Sequence, residues 1–93
     1  MNKNEEFNFP EIDMAATGKN IRRLCREKEI SVKEIQKHFH IASNQAIYEW
    51  FNGKSLPSLD NLVALSELLD KSMNQIIVCK SIHEEEDVWE DKE

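Results

Sequence analysis

"SVKEIQKHFHIASNQAIYEWFNGKS", residues 31–55, decides how this 93-residue chain is read. Ser31 and Glu34 stand three apart, the spacing of a capping box, in which each side chain takes an unbonded amide at a helix start. Ile30 and Ile35 flank the cap as a hydrophobic staple. Together they predict a helix over 32–39, with Ile35 and Phe39 facing inward. The turn "HIAS" then leads to Ser43, an N-cap for a second helix over 44–52. Gly53 suits the left-handed residue that ends such a helix.

Two short helices on a tight turn are the skeleton of a helix-turn-helix. Ile35, Phe39, Ile41 in the turn, Ile47 and Trp50 can close one small core and hold the pair at a set angle. With Ile47 and Trp50 inward, Asn44, Gln45, Tyr48, Glu49 and Asn52 point outward. Asn44, Tyr48 and Asn52 then form a stripe one turn apart. The outward set carries three side-chain amides, a phenol and one acid, and from Asn44 on no Lys or Arg comes before Lys54.

The flanks extend the helical pattern. Over 13–28, Ala16, Ile21, Leu24 and Cys25 recur at threes and fours, with Gly18 as a local weakness. Pro57 blocks continuation after Gly53, and Ser58 caps a helix over 59–70. Its Leu59, Leu62, Val63, Leu65, Leu68 and Leu69 make a broad apolar face. Ser72 and Gln75 repeat the capping-box spacing and open a short fifth helix through Ile76 and Ile77. Nothing alternates at period two, so the expected class is all-α. The chain divides into a flexible N-terminal segment (1–12), a helix-turn-helix domain (13–80) and an acidic, disordered tail (81–93).

Charge follows that division. The net charge of -6 splits into -3 over residues 1–16, +3 over 17–80 and -6 over 81–93. The acidity sits in the ends, and the folded middle is mildly basic. No apolar run approaches the ~18 residues of a membrane span, and the N-terminus lacks a signal-peptide pattern. A cytoplasmic location is expected. Cys25 and Cys79 are too few for a disulfide framework and read as small buried apolar residues. His38 and His40 diverge on a helix end without a nearby partner, so no metal and no cofactor are expected. No nucleophile elbow, phosphate-binding glycine loop or paired inward carboxylates occur, which argues against an enzyme.

From Ile21 to Ile77 the residues "IRRLCREKEISVKEIQKHFHI" and "AIYEWFNGKSLPSLDNLVALSELLDKSMNQII" resemble the Cro and phage-repressor type of helix-turn-helix domain, the xenobiotic-response-element family of bacterial transcriptional regulators. The likeness rests on an Ile-x-x-Leu first helix, a Ser-initiated second, an Ile-x-x-Trp third, the Gly-Lys-x-x-Pro-Ser turn and a Leu-rich fourth. It implies a five-helix, lambda-repressor-like bundle that binds double-stranded DNA as a homodimer on a two-fold symmetric operator. By position, Asn44, Gln45 and Tyr48 become the base readers, since side-chain amides match adenine's major-groove edge. Asn52, Lys54 and Ser55 become phosphate contacts, with Ser31, Lys33 and the first amides of their helix at the opposite clamp point. Val32 stands where many relatives carry Gln or Thr, and His40 where Gly is common.

The reading is a sequence-specific DNA-binding transcriptional regulator, a repressor, working through the helix at 44–52. The alternative is a protein-binding module on the same scaffold, an antitoxin or adaptor with weak or no DNA binding. Glu49, the modest +3 of the middle and the acidic ends favour that alternative. In the tail, Val88 and Trp89 read either as part of a solubilising end or as an anchor for a protein partner or the basic surface.

Overall fold

The computed structural model describes residues 9–39 and 43–80. Expectations on the turn residues His40 and Ile41, and on the tail with Val88 and Trp89, lie outside them. Five helices follow in order: α1 Met14–Glu27, α2 Val32–His38, α3 Asn44–Phe51, α4 Leu59–Leu69 and α5 Met73–Ile76. Among the described residues the extended structure is one isolated antiparallel bridge, Ile12 to Cys79. The fold is an all-α bundle.

Local chemistry starts each helix. Asp13 caps α1 by accepting from the Ala16 amide at 3.0 Å. Ser31 and Glu34 form the predicted box at the start of α2, as Ser72 and Gln75 do for α5. Ser58 caps α4 through the Asn61 amide. Ser43 differs from expectation: it precedes α3 in an extended conformation, but its hydroxyl caps no amide.

Three helices end alike. After α3, the amides of Gly53 and Lys54 donate back to the carbonyls of Trp50 and Glu49 at 3.1 and 2.9 Å, with Gly53 left-handed at φ 73°. This is a Schellman ending. Glu29 after α1 and Asp70 after α4 take the same left-handed place, both at φ 57°, although neither is glycine.

The core gathers Ile21, Leu24 and Cys25 of α1, Ile35 and Phe39 around α2, and Ile47, Trp50 and Phe51 of α3. Leu62, Leu65, Leu69 and Ile76 close it from α4 and α5. Fully burying one such side chain contributes about 1.5–3 kcal/mol. In the first turns of α1 the buried places belong to Thr17 and Gly18, while Ala16 is half-buried. The broad apolar face expected of α4 is narrower. Its buried line is Leu62, Leu65 and Leu69, whereas Leu59 is 76% and Val63 45% exposed. Val63 sits about 100° round the helix from Leu62, and Leu59 projects from the first turn.

Gly18 has a positive role. A Cβ there would strike the Trp50 carbonyl oxygen and lie 2.7 Å from that of Phe51. A Cβ on Gly53 would lie 2.8 Å from the Ala15 Cα. Both glycines of the chain thus sit where α1 meets the end of α3, backbone against backbone.

Polar bonds tie α1 to the C-terminal part of the bundle. The Thr17 hydroxyl donates to the Val78 carbonyl and accepts from the Val78 amide, at 3.2 and 2.9 Å. Asn20 Nδ2 donates to the carbonyls of Gln75 and Ile76. The amides of Asp13 and Lys80 donate to the carbonyls of Val78 and Glu11, both at 2.8 Å. Residues 11–13 are therefore paired with 78–80.

Candidate nucleic-acid interface

Helices α2 and α3 are locked from the inside. Ile35 and Ile47 are fully buried, and the Phe39 and Trp50 rings meet at 6.4 Å between centroids, tilted by 46°. Phe51, which the sequence reading left without a role, is also buried and supports the outer surface. Its ring meets the edge of Tyr48 at 5.9 Å and 86°, and the Arg22 guanidinium lies 5.7 Å from its centroid. Such aromatic pairs contribute about 0.5–1.5 kcal/mol beyond area burial. Tyr48 is thereby braced while staying half exposed.

The outward face of α3 is as the helix period predicts. Asn44, Gln45, Tyr48 and Asn52 are exposed, and Glu49 is half-buried. Gln45 Nε2 donates to Glu49 Oε2 at 3.4 Å. Lys54 is exposed and Ser55 half-buried. Their amides both point back to the Glu49 carbonyl, which leaves the side chains of Lys54 and Ser55 as the groups free to meet a ligand.

A shallow groove runs between α1, the start of α2 and α3, lined by Arg22, Arg26, Ser31, Val32, Tyr48 and Phe51 among others. It brings together two of the sequence-predicted residues, Ser31 and Tyr48, with two arginines from α1. Of the basic residues on α1, Arg22 and Arg26 face this groove. Arg23 instead donates to Glu27 at 2.7 Å and to Asn20, and with Lys19 it lines a separate hollow. A 3.6-residue period places Arg22 and Arg26 on one line, but only the packing of α1 shows what lies beside it. Lys33 falls outside the groove, in a concavity shared with Ser31, Glu34, Gln36 and Lys37.

The capping box constrains what Ser31 offers. Its oxygen accepts from the Glu34 amide at 3.1 Å, and its own amide donates to Glu34 Oε1 at 3.0 Å. The hydroxyl hydrogen is left to donate outward. Val32 lines the groove with apolar surface, and Arg22, Arg26, Ser31 and the Tyr48 hydroxyl bring polar groups to it.

Comparison with known proteins agrees with this geometry. A helix-turn-helix family model matches residues 21–76, more than half of the chain. The chain belongs to the Cro/phage-repressor type of helix-turn-helix family. No curated protein and no solved structure gives a significant match to it. The matched span begins at Ile21, the first fully buried residue of α1's core line, and ends at Ile76, the last residue of α5.

The helix-turn-helix family is one of DNA-binding proteins. Among the described residues no group of His, Cys, Asp or Glu could hold a metal ion, and no helix is long and apolar enough to cross a membrane. Both cysteines are free. Cys25 is buried as expected, whereas Cys79 is exposed, because it lies in the segment paired at the bundle's edge. Burial pushes the Cys25 thiol up to about 11 from its usual value near 9, which keeps it neutral.

Proposed function

We propose that this protein is a transcriptional regulator, a repressor, that inserts α3 into the major groove of an operator. Asn44, Gln45 and Tyr48 face base edges. Ser31, Lys33, Asn52, Lys54 and Ser55 hold phosphates, and Arg22 and Arg26 join them. The carrying observation is the groove in which Arg22, Arg26 and Ser31 converge beside the braced Tyr48. Cations flank a reading surface that itself carries none. Base contacts set sequence preference, while phosphate contacts set register and salt dependence. A repressor needs no more than occupancy of its operator.

A homodimer fits this reading, with half-sites about 10 bp or a multiple of it apart. On the fifth helix Ile76 is wholly buried and Ile77 half-buried, which leaves Met73 as its exposed apolar residue. Leu59 and Val63 on α4 are the exposed apolar residues that a second copy would cover. The same two residues favour the second reading, in which the scaffold docks a protein partner as an antitoxin or adaptor does.

Random-site selection with purified protein, followed by gel shifts at low and physiological salt, separates the two. Lys54→Gln is expected to weaken binding to all sequences and lower the salt slope by about 1. Gln45→Ala is expected to lower discrimination at one or two positions. A flat response at both salt concentrations would favour the protein-binding module.

A further inference from the structure

Glu49 is the one acid on the reading face of α3. A carboxylate turned toward a polyanion opposes binding, so its presence there calls for a function. Its observed side-chain partner is the Gln45 amide, one helical turn earlier. Its carbonyl is separately occupied by the amides of Lys54 and Ser55. The two ion pairs among the described residues lie elsewhere, at Arg23–Glu27 and Lys80–Glu11.

An ionised carboxylate offers acceptors alone. Gln45 must therefore present its nitrogen to Glu49, and one of its two amide hydrogens is spent there. One donor and one acceptor remain for a base. Adenine shows the complementary pair in the major groove, the N7 acceptor and the N6 donor. Guanine shows two acceptors, N7 and O6, which an unrestrained glutamine can meet with both hydrogens of its NH2. With one hydrogen held, that second mode is lost, and the Glu49 charge repels the extra acceptor. At 3.4 Å the bond is long in the free protein, and it strengthens as water leaves the interface and the local dielectric falls.

We propose that Glu49 is a positioning residue that commits Gln45 to adenine. The proposal rests on the assignment of Gln45 as a base reader. It makes Glu49 a specificity determinant that raises selectivity while lowering affinity for DNA in general.

Random-site selection on the wild type, Glu49→Gln, Gln45→Ala and the double variant tests it. The wild type is expected to require adenine at one position per half-site. Glu49→Gln should admit guanine there, cutting the adenine-to-guanine preference roughly tenfold, within the discrimination one bidentate contact supplies, while binding random DNA more tightly. Gln45→Ala and the double variant should give the same base profile. In the free protein, Glu49→Gln should also move the NMR signals of the Gln45 side-chain NH2 group. Unchanged adenine preference in Glu49→Gln, or unmoved NH2 signals, would overturn the proposal. So would a lost cytosine preference at another position that persists without Gln45, because Glu49 would then read a base itself. A wild type that selects no sequence removes the reading of α3 altogether, whereas selection that Gln45→Ala leaves intact removes only the role of Gln45. Should Glu49→Gln fail to fold, Glu49→Asp, one methylene short of the amide, makes the same comparison.

Discussion

Replacing Gly18 by alanine sets two physical effects against each other with opposite signs. In the interior of a helix, Gly→Ala stabilises by about 1 kcal/mol, because alanine loses less backbone freedom on folding. Here the added methyl would meet the carbonyl oxygens of Trp50 and Phe51, and these are backbone atoms that cannot swing aside. Overpacking of a tight contact costs about 1–3 kcal/mol, occasionally more, and the Phe51 oxygen at 2.7 Å puts this site at the upper end. The expected net effect is a loss of about 2 kcal/mol. For a domain of this size that lowers Tm by about 8–16 °C. Thermal and urea unfolding followed by circular dichroism measure it directly. A Gly18→Ala variant more stable than the wild type by about 1 kcal/mol would refute the close α1–α3 contact, since helix propensity alone would then account for the result.

Glu29→Gly and Asp70→Gly each relieve a left-handed residue at φ 57°. Each should raise stability by about 0.5–1 kcal/mol once the extra freedom of glycine in the unfolded chain is counted, a gain visible in the urea midpoint. Because the Cys25 thiol is raised to about 11, its contribution is intact below about pH 9 and is lost as pH climbs through 11. The loss is about 2 kcal/mol by pH 11, and Cys25→Ala should flatten that part of the alkaline fall in a urea series. Thiol reagents should modify exposed Cys79 in the native state and reach Cys25 only on unfolding. Leu59→Glu should shift sedimentation toward monomer and weaken binding to paired half-sites more than tenfold, leaving a single half-site unaffected. An unchanged sedimentation profile would move the dimer surface elsewhere.

What the sequence made legible was local. Capping boxes act over three residues, so Ser31 with Glu34 and Ser72 with Gln75 announced two helix starts, and Gly53 announced a helix end. The inward and outward sides of α3 followed from helical period, including the exposure of Asn44, Gln45 and Tyr48. Contacts between distant residues were not legible. Thr17 with Val78, Asn20 with the end of α5, and residues 11–13 with 78–80 depend on how the bundle closes, and no local pattern encodes that. Glu29 and Asp70 end helices in a conformation that glycine usually signals, so composition gave no warning. On α1, period sets Arg22 and Arg26 on one line apart from Arg23, but it could not show what lies beside that line, because those surroundings come from the neighbouring helices. Leu59 and Val63 count as apolar in any periodic analysis, and only packing shows that they stay outside the core.

The two glycines at the α1–α3 junction also bear on how such a protein changes. They mount α3 through main-chain contact, so its seating does not depend on the side chains it presents outward. Residues 44, 45, 48 and 49 can then be exchanged as a set, like type in a fixed frame, without rebuilding the core, and under the proposed function such an exchange would give a new operator.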